Sequence, residues 1–224
     1  MRAECLNETD NTNHFFTVSF NHGIDERKNE MKKNLGSMPA LFPMPVVVVA
    51  AYDENGKPNA MTAAWAQITD MDKIALFVDP EHKTMKNILA TKAFTVATAD
   101  LAHMAEADFI GIASGNQMED KFAKSGLHET RSEFVNAPVI AEFPISLDCE
   151  LVDVIDTEHV YAMIGKIVNA GAEESVIGED GKVEPGKIQA LIFDQFRNGY
   201  YVVGEKVGQG WNAGKELVKK AQGK

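Results

Sequence analysis

Asn59-Ala60-Met61-Thr62-Ala63-Ala64-Trp65 follows an Asp53-Glu54-Asn55-Gly56 turn and stands about twenty residues before His82-Lys83-Thr84. The stretch carries an amide, a hydroxyl, three alanines and one large aromatic. It reads as the returning arm of a hairpin whose backbone can lie against a flat, partly polar ligand. The first arm is Val46 to Ala51, a continuous β-branched and small apolar run that predicts a strand buried on both faces. Asn55-Gly56 between the arms predicts a type I′ turn, with positive φ at both central residues. The second arm is expected to run unbroken from Asn59 to Ile68.

Outward from this hairpin the pattern stays short and mostly extended. Pro43 and Pro45 hold the entering chain out of helix. Lys73 to Val78 predicts a third strand, ended by Asp79-Pro80, and Phe94 to Thr98 a further one. Between them, Thr84 to Ala90 is a short helix. Asp100 can cap a helix reaching about Ala107, with Gly111 to Gly115 breaking it. Asp120 to Lys124 is a single short helix stopped by Gly126. From Ala137 the chain turns to strand: Ile145, Leu147, Cys149 and Leu151 alternate with polar residues, and His159 to Val168 is the partner. Ile188 to Phe193 and Tyr200 to Val203 follow, joined through Asn198-Gly199, and Ala213 to Ala221 forms a basic terminal helix.

Seven or more strands with short helices clustered mid-chain predict a mainly β fold, an antiparallel barrel closed or partly closed. Long helices do not alternate with strands, and no G-x-G-x-x-G follows one, so a doubly wound dinucleotide-binding sheet is excluded. The 224 residues suit one large domain, placed at 31–224 and preceded by a polar extension or arm at 1–30. A net charge of −11 argues against nucleic acid and anionic membrane surfaces as partners. Cys5 and Cys149 stand far apart, without metal-ligand spacing. No apolar run approaches the roughly 18 residues of a membrane span, and a cytosolic location is expected.

Three segments could carry chemistry. His82-Lys83-Thr84, followed by Lys86 and Asn87 at a helix start, supplies a cation, a hydroxyl and free N–H groups, the donors a phosphate needs. The plainer alternative is a surface helix with solvated lysines. Thr62 to Trp65 offers strand backbone to the polar edge of a ring, with Ala63 and Ala64 keeping the approach open; otherwise it is a half-buried strand with a core Trp65. Ser114-Gly115-Asn116 before Asp120-Lys121 is a polar loop that could close over a ligand, or a plain turn. His159 heads a strand, where it could contact a ligand or deliver a proton, or serve the structure alone. No nucleophile turn accompanies any histidine, so a hydrolytic triad is not supported.

In order and spacing these segments resemble the flavin reductase-like family of FMN-binding split barrels, flavoredoxins included. The resemblance rests on Gly56 to Trp65, His82 to Ile88, Phe94-Thr95-Val96, Ala107 to Gly115 and Asp120-Lys121-Phe122. It continues through Phe143-Pro144, His159 with Ile164-Gly165, and Tyr200-Tyr201 with Gly204-Glu205, covering about Lys32 to Lys220. It implies a split barrel that dimerises, with FMN in a groove near the subunit interface. Asn59, Met61, Thr62, Ala63, Ala64 and Trp65 match the flavin-contacting strand. Lys83 and Thr84, with Asn87, match the phosphate turn; Ser114, Gly115 and Lys121 match the covering loop. NADH or NADPH is the implied electron donor, and a redox partner protein the implied acceptor for a carrier. Ala97 departs from the pattern, since family members often carry Asn there. The expected function is electron transfer between NAD(P)H, flavin and an acceptor. Alternatives are a carrier without turnover of its own, or a barrel for another flat ligand or for none.

Overall fold

The computed structural model describes residues 32–223. The extension read at residues 1–30, with its Phe15 to Phe20 run, lies outside the described residues. Residues 32–38 belong to one unit, and the body described below, from Pro39, to another.

The first strands are β1 (Met44–Pro45), β2 (Val47–Tyr52), β3 (Pro58–Ala63), β4 (Ala66–Asp70) and β5 (Lys73–Leu76). Then come α1 (Lys83–Thr91), β6 (Ala93–Thr98), α2 (Met104–Ile112), α3 (Lys121–Lys124), β7 (Glu129–Arg131) and β8 (Pro138–Ile140). The long strands β9 (Ile145–Asp156) and β10 (Tyr161–Ala172) precede α4 (Pro185–Ile188), β11 (Leu191–Asp194), β12 (Gly199–Val202) and α5 (Lys215–Ala221).

Seven strands form one sheet in the order β3-β2-β6-β9-β10-β5-β4, all neighbours antiparallel. β3 and β4 are its opposite edges, yet only Ala64 and Trp65 separate them in the chain. A sheet whose two edges are joined by two residues must roll into a barrel, which also removes exposed edges. The expected single strand from Asn59 to Ile68 is therefore two strands serving opposite edges, bent at Ala64-Trp65. Trp65 O accepts from Phe77 N at 2.9 Å, tying the bend to the end of β5.

The buried run of β2 behaves as its composition requires. Val49 and Ala51 point into the barrel with Met61, Leu76, Phe94, Val96, Cys149 and Met163, joined by Met85 and Ile88 of α1. Val48 and Ala50 point outward, against Ala107 and Ile110 of α2, Phe122, Ile140 and Leu191. One strand thus serves two cores. The ring of Phe94 lies over Gly165, where no Cβ would fit.

Two local expectations need correction. The Asn55-Gly56 turn is not type I′, because only Gly56 has positive φ (76°). The Asp53 carboxylate accepts from Asn55 N at 2.8 Å and Lys57 N at 2.9 Å, which suits a loop over residues 53–57 with φ negative at Glu54 and Asn55. Helix α2 begins later than expected and continues through Gly111 to Ile112. A Cβ on Gly111 would sit 3.2 Å from Thr62 Cβ, so this glycine lets α2 lie close on β3 instead of ending the helix. Asp100 accepts from His103 N at 2.9 Å and so braces the turn leading into α2. No helix among the described residues is long and apolar enough to cross a membrane.

Candidate functional site

Three segments meet around a cleft of about 90 Å³: strand β3, the start of α1, and the loop joining α2 to α3. Asn59 and Met61 share a face of β3 because side chains alternate along a strand. Asn59 Nδ2 donates to Thr84 Oγ1 at 2.6 Å, both residues being buried. That bond occupies an acceptor pair of the hydroxyl and leaves its own proton free to donate elsewhere. Helix α1 has nine residues, and its N-cap, His82, makes no side-chain capping bond. Its first-turn N–H groups therefore face the cleft region without a side-chain partner, where the helix dipole favours an anion.

The covering loop is held to this helix start. Asn116 Nδ2 donates to Glu81 O at 2.8 Å, and Ser114 O accepts from Gln117 N and Met118 N. A Cβ on Gly115 would lie 2.7 Å from Asn59 Oδ1 and 3.0 Å from Lys83 Cβ. Glycine is what allows this three-way approach.

Lys121 is the sharpest feature. It is only 3% exposed, and its Nζ donates to Ile110 O at 3.0 Å. No carboxylate among the described residues pairs with it. Burial alone pushes its ammonium down to about 8. A buried cation without a counter-charge is costly unless an anion joins it. Lys121, Lys83 and Thr84 line this one cleft beside the open N–H groups of α1, so the donors that an anion needs stand together.

The remaining predicted residues divide among neighbouring cavities. Ala63 and Ala64 line a second cleft of about 170 Å³ with Thr62, Asp108 and Tyr200. Thr62 donates its hydroxyl to Ala107 O, so it clamps α2 to β3. Trp65 is half-exposed and lines a groove of about 290 Å³ with Phe77, His159, Val160 and Tyr161. Its Nε1 donates to Gln195 at 2.9 Å when the amide is oriented to suit its neighbours. His159 is exposed in the β9–β10 turn, its N–H donating to Thr157 Oγ1 at 3.3 Å. It is brought to Trp65 and not to the anion-binding cleft. Asn87 is also left out of that cleft; it lines a separate one with Asp53, Glu54, Asn55 and Lys86. From Met61 to Trp65, ~13 Å of strand and bend passes all three cavities in turn.

Sequence reasoning missed two polar supports here. Tyr200 donates to Asp108 Oδ1 at 2.8 Å, and burial followed by this carboxylate pushes the phenol up to about 12. The partners are 92 residues apart, with no local signal linking them. Gln195, which orients Trp65, carries no signal either.

Residues 38–197 match the model of the flavin reductase like domain. The flavoredoxin of Desulfovibrio vulgaris (Miyazaki F) superposes with a TM-score of 0.78 at 35% identity, covering 82% of this chain and all of that one. The flavoredoxin of Methanosarcina acetivorans gives 0.73 at 26% identity, covering 84% and 98%. An uncharacterized protein of Aeropyrum pernix is 31% identical over 118 residues, 52% of this chain and 44% of its own length. The chain thus spans less than half of that relative. The fold is the mainly β split barrel of the two flavoredoxin structures, and the chain belongs to the flavin reductase like domain family.

Proposed function

We propose that the protein binds FMN and passes electrons between NAD(P)H, flavin and an acceptor. The observation that carries this is Lys121, a buried ammonium without a carboxylate partner among the described residues, set beside the open start of α1. A phosphate monoester brings the charge that this donor set lacks. The residues present fit the group. Lys121, Lys83 and Thr84 would hold its phosphate, and the backbone of Ala63-Ala64 would present N–H and C=O groups to the polar ring edge. Bound flavin supplies the redox chemistry, accepting and returning electrons, so no side-chain nucleophile is called for.

The protein's own residues bind and orient. Gly115 and Gly111 permit the close approach of loop and helix to β3. Asn59 fixes the Thr84 hydroxyl, and Gln195 fixes the indole of Trp65. The groove beside Trp65 is open and apolar-walled, with room for a flat donor such as a nicotinamide ring. His159, which lines this groove, would hold or deliver a proton there. We extend the reading to a homodimer, since Ile68, Met71, Trp65, Phe77 and Val160 expose apolar surface near this groove. A cytosolic setting goes with it, because reduced nicotinamide nucleotides are made and used there.

The two flavoredoxin structures favour a second reading, an FMN-holding electron carrier without turnover of its own. Anaerobic mixing of the FMN-loaded protein with NADH or NADPH separates the two. Bleaching of the flavin absorbance by either nucleotide supports the reductase. Bleaching only by a chemically reduced protein donor supports the carrier. A protein that takes up no FMN refutes both.

A further inference from the structure

Beyond β12 the chain leaves the barrel. Every described residue from Val203 to Gly223 is exposed. Among the described residues, each hydrogen bond made by 204–223 is to another residue of the same segment, as in Lys206 Nζ to Gln209 Oε1 and Lys219 Nζ to Glu216 Oε1. The segment also lies outside the family match, which ends at residue 197. Its composition is not that of a solvated tail. Trp211 is 98% exposed and Val207 101%, with Leu217 and Val218 of α5 also bare. A tryptophan and a helical Leu-Val pair left in water are unusual without a partner surface.

The charge of the segment differs from that of the body. It carries Lys206, Lys215, Lys219 and Lys220 against Glu205 and Glu216, whereas the whole chain stands at −11. The groove of Trp65, Phe77, Val160 and Tyr161 is the complementary surface: apolar, about 290 Å³, and flanked by exposed Asp79, Asp156 and Glu158. Asp156 stands opposite Tyr161 across the β9–β10 ladder, and its charge helps raise the Tyr161 phenol. Reach is sufficient: six extended residues from Gly204 to Gln209 span ~20 Å, and α5 adds ~10 Å.

We propose that residues 204–223 form an exchange arm that docks on a second copy of this chain. Trp211 and the Leu217-Val218 face pack along the outer rim of the Trp65–Val160 groove of that copy, leaving the groove itself to the donor, and the arm's lysines meet Asp79, Asp156 and Glu158. The arm thereby walls the groove beside Trp65 and His159, so the donor side of each site is completed in trans. This rests on the homodimer reading above.

The test uses the full chain with Cys5→Ser, leaving Cys149 buried and silent. One copy carries Lys220→Cys, and a size-tagged copy carries Asp156→Cys; the two are co-expressed and oxidised. A disulfide-linked hetero-band on a non-reducing gel is expected. Sedimentation of the full chain and of a chain ending at Val203 runs alongside. Deleting the arm is expected to raise the dimer dissociation constant roughly tenfold or more. A dimer that persists with no hetero-band, or with an unchanged dissociation constant after truncation, overturns the arm and leaves the dimer standing. A Lys220→Cys/Asp156→Cys double variant that links only within one chain places the arm on its own barrel and likewise overturns it. A monomeric full chain overturns both readings.

Discussion

Replacing Lys121 by Met should weaken FMN far more than riboflavin, because the two ligands differ only by the phosphate. The side chain is 3% exposed, its Nζ has Ile110 O as partner at 3.0 Å, and burial holds its pKa at about 8 against an ordinary 10.5. A charge-assisted bond to phosphate in such surroundings is worth roughly 1.5–3 kcal/mol, or about 10- to 150-fold in affinity. Methionine keeps the apolar stem and removes the charge. The pH dependence follows from the same depression. Above about pH 8 the unliganded protein loses the Lys121 proton that the phosphate requires, so FMN affinity should fall as pH rises past this point. In the unliganded protein the sign is opposite. Between about 8 and 10.5 the unfolded chain holds a proton that the folded chain has released, so stability gains up to ~1.4 kcal/mol per pH unit from this group. Lys121→Met should lose both effects. Fluorescence titration with FMN and riboflavin from pH 7 to 10 reads the first, and denaturant unfolding over the same range reads the second. Equal losses for both flavins, or an unchanged pH profile, would refute the role assigned to Lys121.

Gly115→Ala should lower FMN affinity roughly tenfold or more, because its Cβ would force Asn59 and Lys83 apart; calorimetric titration of a variant with native near-UV dichroism checks this. Gly165→Ala should instead cost stability, by roughly 1–3 kcal/mol, since the new Cβ collides with the buried ring of Phe94; a thermal midpoint equal to wild type would contradict that packing. Tyr200→Phe leaves Asp108 without its 2.8 Å donor and should destabilise by about 1 kcal/mol, read by urea unfolding. Cys149 is fully buried and its thiol is pushed up to about 12, chiefly by burial, so in a Cys5→Ser background native protein should not react with a thiol reagent until it unfolds.

Much of the barrel is legible because its strands carry strong local patterns: the Val46 to Ala51 run is a strand buried on both faces, and the alternating stretch Ile145 to Leu151 opens β9, although Asp148 there is buried against the pattern. The bend at Ala64-Trp65 is not legible. No glycine or proline marks it, and it exists because β3 and β4 must serve opposite edges of one closing sheet, a requirement set by strands far away. Gly111 misleads for a related reason. Its local signal is that of a helix breaker, while its actual cause is Thr62, pressed against α2 from another element. In the site, Lys83, Thr84, Ser114 and Gly115 were nameable from loop chemistry. Lys121 was nameable only as one more cation, because its burial comes from α2 and the covering loop folding over it. Tyr200–Asp108 and Gln195–Trp65 are long-range pairs, which a single sequence does not encode locally.

A crystal structure of the protein grown with FMN tests the phosphate site most directly. The phosphate is expected at the start of α1, within hydrogen-bonding distance of Lys121 Nζ and Thr84 Oγ1, with the ring edge along Ala63-Ala64. A phosphate bound elsewhere, with Lys121 still paired only to Ile110 O, would contradict it.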